Sequence, residues 1–134
     1  MTLRKDTTRG SAFRAALADR LLILDGSTGV EFQRLALSEN DVRGRPLSAN
    51  FDILCLSRPE LVARIHDNYL EAGADIIETN TFNSNRLSQS EYGTEALVRE
   101  MNRAGATIAR READRFTVLD PSKPRFVAGS IGPT

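Results

Sequence analysis

Ser57-Arg58-Pro59-Glu60-Leu61-Val62-Ala63-Arg64-Ile65-His66-Asp67-Asn68-Tyr69-Leu70-Glu71-Ala72-Gly73-Ala74-Asp75-Ile76-Ile77-Glu78-Thr79 is the stretch on which the fold turns. Ser57 and Glu60 match the S-x-x-E capping box, in which the hydroxyl takes an orphan amide of the first turn and the carboxylate reaches back. Pro59 sits where no intrahelical donor is needed. Leu61, Ile65, Tyr69 and Ala72 recur at helical spacing and Gly73 is a C-terminal stop, so the pattern predicts a helix from about Pro59 to Ala72. Two residues later Asp75 to Thr79 reads as a short strand, and Asn80-Thr81-Phe82-Asn83-Ser84-Asn85 has the amide and hydroxyl content of a loop.

The same alternation extends in both directions. Upstream, Leu21-Leu22-Ile23-Leu24 is an unbroken apolar run stopped by Asp25-Gly26, which reads as a strand buried on both faces. Downstream, Leu97, Met101, Ala104, Ile108 and Ala109 form one apolar stripe within a helical stretch from about Glu95 to Phe116. Pro121 to Pro124 breaks it, and Arg125 to Ile131 is a third strand. Strands joined by helical crossovers pair in parallel with right-handed connections. The turn after the first strand, Asp25-Gly26-Ser27-Thr28-Gly29, carries neither G-x-G-x-x-G nor a Lys-Ser/Thr pair, which disfavours an open nucleotide-binding sheet. A (β/α)₈ barrel needs about 250 residues. The reading is therefore α/β, a partial barrel of about three parallel βα units. Leu35 to Leu56, with Arg43-Gly44-Arg45-Pro46, is too long for a simple loop, and Asp52 to Leu56 within it is either an extra strand or an apolar tuck.

Composition bounds the function. The chain has 134 residues, 40% apolar and 27% charged, with 18 basic and 18 acidic side chains. That balance describes a globular domain with no global field to steer it onto nucleic acid or an anionic membrane. One cysteine and one histidine exclude an internal disulfide and a Cys/His zinc cage. No apolar run approaches the roughly 18 to 20 residues that span a bilayer, and residues 1–20 lack the core of a secretion signal, so a cytoplasmic location is expected. Those 20 residues hold Arg4, Lys5, Arg9, Arg14 and Arg20 against Asp6 and Asp19. They read as an extension running into a short helix, with an organelle transit peptide as the sharper alternative. Residues 21–134 form the domain proper.

In parallel α/β arrangements ligands gather at the carboxyl ends of the strands. Those ends carry Asp25-Gly26, Glu78-Thr79-Asn80-Thr81 and Gly132-Pro133-Thr134. A carboxylate beside a glycine can hold an ammonium, and Asn or Thr can bind a carboxylate or hydroxyl, so the three ends describe an amino-acid pocket. The competing reading is that Asp-Gly simply ends a strand. Cys55 reads as a small buried residue and His66 as a packed or half-exposed helix residue.

Four stretches carry a family resemblance: Leu24 to Gly29, Leu56 to Val62, Tyr69 to Ser84 and Val127 to Thr134. Together they resemble the amino-terminal homocysteine-binding domain of cobalamin-dependent methionine synthase, within the homocysteine S-methyltransferases. The run ending in Glu78-Thr79-Asn80-Thr81-Phe82 is the most specific part. The resemblance implies a barrel that binds homocysteine at its mouth, with zinc held by three cysteine thiolates on later strands, and methionine as the product of methyl transfer from methylcobalamin and methyltetrahydrofolate. It implies that Asp25 receives the substrate amino group, that Gly26 allows the approach, and that Asn80 and Thr81 line the mouth. No catalytic or metal-binding residue is expected in this chain. Neither zinc nor cobalamin is expected to be held by it alone, and the remainder of the barrel with the folate- and cobalamin-binding domains would be its partners. On that reading the chain is a truncated portion, inactive by itself, whose Leu21–Leu24 and Phe126–Ile131 edges invite association. Two alternatives stand beside it: a non-catalytic binding or interaction module derived from the barrel, and another barrel enzyme acting on a different small amino acid.

Overall fold

A computed structural model describes residues 7–38, 41 and 50–133. The first six residues, the Arg43–Pro46 part of the long insert and Thr134 lie outside the described residues. Helix α1 is Thr7–Asp19, α2 is Thr28–Gln33, and a 3₁₀ turn at Phe51–Ile53 runs into α3, Leu54–Ser57. Then follow α4 (Pro59–Glu71), strand β1 (Ile76–Glu78), α5 (Arg86–Ser90), a 3₁₀ turn at Glu95–Leu97, α6 (Val98–Leu119) and β2 (Phe126–Ala128). No helix among the described residues is long and apolar enough to cross a membrane.

The βα alternation is present in the expected order, and β1 pairs with β2 in parallel, Ile77 opposite Val127. The first predicted strand is reduced to a parallel bridge from Leu24 to Ile76. Its burial is also corrected: Leu21 is 91%, Ile23 61% and Leu24 49% exposed. An unbroken apolar run promises cover on both faces, and here Leu22 alone of the four is even half-buried. The third strand likewise spans only Phe126–Ala128 of the predicted Arg125–Ile131.

The helix around the deciding stretch begins and ends close to where the periodicity puts it, but its cap differs. Ser57 closes α3, and its hydroxyl donates to the carbonyls of Ile53 and Asp41. Glu60 pairs with Arg58 instead of reaching back. Arg58, at φ −141° and ψ 58°, is the break between α3 and α4, with Pro59 opening the new helix. Gly73, at φ +107°, ends it in the left-handed region that glycine enters without strain. The Asp52–Leu56 segment is helical, so the extra-strand reading is wrong and the apolar tuck is right: Ile53 and Leu54 are fully buried and Cys55 nearly so. These side chains join Phe32, Val62, Ile65, Met101 and Ile108 in the main core between α2, α3, α4 and α6. A second cluster of Leu70, Ile77, Ala109 and Ala113 seats the helices on β1. Ile77 therefore faces the helices, and Ile76 and Glu78 face the opposite side, as strand alternation requires.

Candidate functional site

Asp25 follows directly from the Leu24 bridge. Its amide donates to the Ile76 carbonyl at 2.9 Å, and its Oδ2 accepts the Glu78 amide at 3.0 Å. The side chain is 9% exposed, and Oδ1 is buried with no hydrogen-bond partner among the described residues. Burial pushes the carboxyl up to about 6; the Glu78 amide opposes this and the Glu78 charge adds to it. Gly26 leaves room for Tyr69: a Cβ there would meet the Tyr69 hydroxyl at 3.1 Å. That hydroxyl donates to the Ser27 carbonyl at 3.3 Å, so α4 supports the turn that presents Asp25.

Asn80 and Thr81 lie beside Asp25 in the same cleft, but their polar groups are engaged in building it. Asn80 Nδ2 donates to the Phe51 carbonyl at 2.8 Å, and the Cys55 thiol donates to the Asn80 carbonyl at 3.3 Å. Thr81 Oγ1 donates to the Ser130 carbonyl at 2.9 Å, and the Ser130 amide donates to Thr79 Oγ1 at 3.0 Å. With the Thr81 proton committed, the 2.7 Å contact between the two hydroxyls must be donated by Thr79. The result is a closed ring that ties the loop after β1 to the loop after β2. Gly105 of α6 makes room for it, since a Cβ there would sit 2.7 Å from Thr81 Cγ2.

Sequence reasoning missed Asp52. It is 4% exposed and lines the cleft, and its Oδ1 accepts the Asn83 amide at 2.9 Å. Burial pushes this carboxyl up to about 6 as well, against the Asn83 bond. A second buried polar cluster was equally invisible: Asn50 and Gln89 exchange amide hydrogen bonds at 3.0 Å, and Gln89 also donates to the Asn83 carbonyl at 3.0 Å. An aspartate in an apolar helical run was the signal that could have found Asp52; the Asn50–Gln89 pairing across 39 residues offered none.

The cleft has a volume of about 490 Å³ and brings together all four expected residues, Asp25, Gly26, Asn80 and Thr81. Its lining includes the carboxylates of Asp25, Asp52 and Glu78 and, among the described residues, no lysine, arginine or histidine. Such a wall attracts cations. Cys55 lies behind it, 2% exposed, with burial pushing the thiol up to about 12, so it supplies no thiolate. His66 is fully buried in α4, and its two ring nitrogens have no partner among the described residues. Among the described residues no group of three or more His, Cys, Asp or Glu side chains is placed to hold a metal ion. The residues present therefore do not fit a three-thiolate zinc.

A model of the homocysteine S-methyltransferase family matches residues 22–134. The chain belongs to that family. Among solved structures it is similar to the homocysteine methyltransferase MmuM from Escherichia coli. The oxidised form superposes with a TM-score of 0.69 at 25% identity, over 90% of this chain and 40% of that one. The metallated form gives 0.68 at 24%, over 90% and 41%, a likeness of fold. The chain thus spans about two fifths of the length of these neighbours. For the family member described here, the cleft lies at the carboxyl ends of the strands, and the fold is an α/β arrangement resembling part of the neighbours' structure.

Proposed function

We propose that this chain forms the amino-acid-binding portion of a homocysteine S-methyltransferase, with Asp25 receiving the substrate ammonium. The observation that carries this is the buried Asp25 Oδ1, without a hydrogen-bond partner among the described residues, in a cleft whose described lining holds three carboxylates and no basic side chain. An ammonium placed there restores the favourable surroundings that burial removed from the carboxylate, and charge-assisted bonds of this kind are the strong ones. Gly26 and Tyr69 fix the turn behind Asp25. Asn80 and Thr81 act as walls of the same pocket, Thr81 bonding the loop after β1 to the Ser130 carbonyl and Asn80 bonding it to the Phe51 carbonyl.

The family match supports homocysteine as the amino acid. Assignment to the cobalamin-dependent methionine synthase branch, with methyl transfer from methylcobalamin and methyltetrahydrofolate domains, rests on the sequence stretches quoted above and extends the proposal. Activation of the sulfur falls to groups outside this chain, whose one thiol is buried and engaged.

Calorimetric titration tests the reading. Homocysteine and 4-mercaptobutanoate, the same molecule without the amino group, are compared on this chain and on its Asp25→Asn variant. Loss of the ammonium partner should weaken binding by roughly ten- to a hundredfold in the native chain, from a bond of about 1.5 to 3 kcal/mol. The difference should collapse in the variant. Equal affinity of the native chain for both ligands rejects the role of Asp25.

A further inference from the structure

Four carboxylates are buried among the described residues: Asp25, Asp52, Asp75 and Glu112. Two of them have their counter-charges at hand. Asp75 pairs with Arg20 at 2.7 Å and lies 3.9 Å from Lys123, while Glu112 pairs with Arg111 at 2.6 Å and with Arg115 at 3.0 Å. The groups that act on Asp25 and Asp52 include no basic side chain, and these two are the ones that line the cleft. A buried charge is costly unless it is paired. For anchoring the Asn83 amide alone, an amide oxygen at position 52 would serve without burying a charge. Asp52 owes its burial to this chain's own turn and loop, and its carboxylate has sites to spare: the Asn83 amide and its own amide act on it, and a carboxylate accepts at about four.

A closed circuit holds that carboxylate in place. Asn83 is gripped on both sides, its amide by Asp52 Oδ1 at 2.9 Å and its carbonyl by Gln89 Nε2 at 3.0 Å. Gln89 of α5 and Asn50, 0% and 2% exposed, exchange amide bonds at 3.0 Å in both directions, and Thr94 Oγ1 donates to Gln89 Oε1 at 2.6 Å. Asn50 in turn opens the Phe51–Ile53 turn that carries Asp52. A buried network satisfied in this way is rigid, and this one sets a single separation, between that turn and the loop after β1. We propose, on the footing of the Asp25 role above, that Asp52 is a second acceptor for the ligand ammonium and that the Asn50–Gln89 pair is the device that positions it. An ammonium has three donors, and Asp25 Oδ1 takes one of them.

Calorimetric titration of the full chain with homocysteine and with 4-mercaptobutanoate separates the roles. Asp52→Asn keeps an oxygen for the Asn83 amide and removes the charge, so homocysteine should bind roughly tenfold more weakly, while 4-mercaptobutanoate, which has no ammonium, binds no more weakly than before. Gln89→Ala should cost homocysteine about threefold in the native background and nothing further in Asp52→Asn, because it acts through that carboxylate. A merely structural contact would weaken both ligands alike in both backgrounds. Native affinity for homocysteine in Asp52→Asn, with Asp25→Asn still impaired, overturns the role of Asp52 and leaves that of Asp25 standing. Equal affinity of the native chain for the two ligands overturns both. Additive losses for Gln89→Ala and Asp52→Asn overturn the positioning role. If circular dichroism shows Gln89→Ala to be unfolded, Thr94→Val, which removes one donor to Gln89 Oε1 and keeps the amide pair, makes the same comparison.

Discussion

Replacing Asp25 by Asn should make the chain more stable at neutral pH while weakening its proposed ligand. Burial raises this carboxyl from 3.8 to about 6, so ionising it in the folded chain costs about 3 kcal/mol relative to the unfolded one. The sign follows from proton counting. Between pH 3.8 and about 6 the folded state holds a proton that the unfolded state has released. Stability from this group is therefore complete below the lower value and lost as pH rises through the upper one. Asparagine carries no charge and still offers an oxygen to the Glu78 amide. Its amide nitrogen would occupy the unpartnered Oδ1 position, at a cost of about 1 to 2 kcal/mol. The net expectation is a gain of about 1 to 2 kcal/mol at pH 7.5 that falls as pH is lowered and reverses to a loss of about 1 kcal/mol near pH 4. Urea unfolding of both proteins at pH 4.5, 6 and 7.5 measures it, and taking the difference removes the parallel contribution of Asp52. A variant less stable than the native chain at pH 7.5, or a gap independent of pH, would refute the argument. The Asp25 charge would then be satisfied within the fold, and its claim on a ligand ammonium would lapse.

Other consequences are open to direct measurement. His66 is buried with no hydrogen-bond partner among the described residues, and burial pushes it down to about 4, the Glu112 charge opposing. The unfolded state therefore binds the extra proton between pH 6.5 and 4, and the native chain should lose about 3 kcal/mol from this group as pH falls through that window; His66→Leu should flatten that part of the stability profile, and an unaltered profile counts against it. Gly105→Ala gains helix propensity of about 1 kcal/mol but forces a methyl to 2.7 Å from Thr81 Cγ2 and 3.3 Å from Cys55 Sγ, so denaturant midpoints should show a net loss of about 1 to 2 kcal/mol. Metal analysis of the chain purified from zinc-containing medium should find no stoichiometric zinc, because the one thiol is buried and bonded to the Asn80 carbonyl; one zinc per chain that competes with a chelator contradicts this.

Local periodicity carried much of the architecture. Apolar spacing of three and four residues placed α4 within a residue of its observed end and located α6, because one helix face must be apolar whatever it packs against. The Asp25-Gly26 and Asn80-Thr81 positions were legible for a similar reason: once the βα alternation is read, strand ends converge on one mouth. Short elements escaped. Helices α2 and α5, at six and five residues, are too brief for a repeat to register.

What the sequence alone determined about this protein is the order of its elements, its family resemblance and the residues that meet at the cleft, all properties of patterns local along the chain. Tertiary structure decided what those residues do there. Whether Ser57 caps a helix depends on which carbonyls come within reach, and it met Ile53 and Asp41 instead. Thr79, Thr81 and Ser130 close a hydroxyl ring only because a parallel pairing of β1 with β2 brings positions some fifty residues apart together. Asp25 and Asp52 become cation-seeking only through burial, and an apolar run such as Leu21–Leu24 is covered or bare according to its neighbours in space. Solvation and pairing are properties of the surroundings, and no residue carries its surroundings in its own identity.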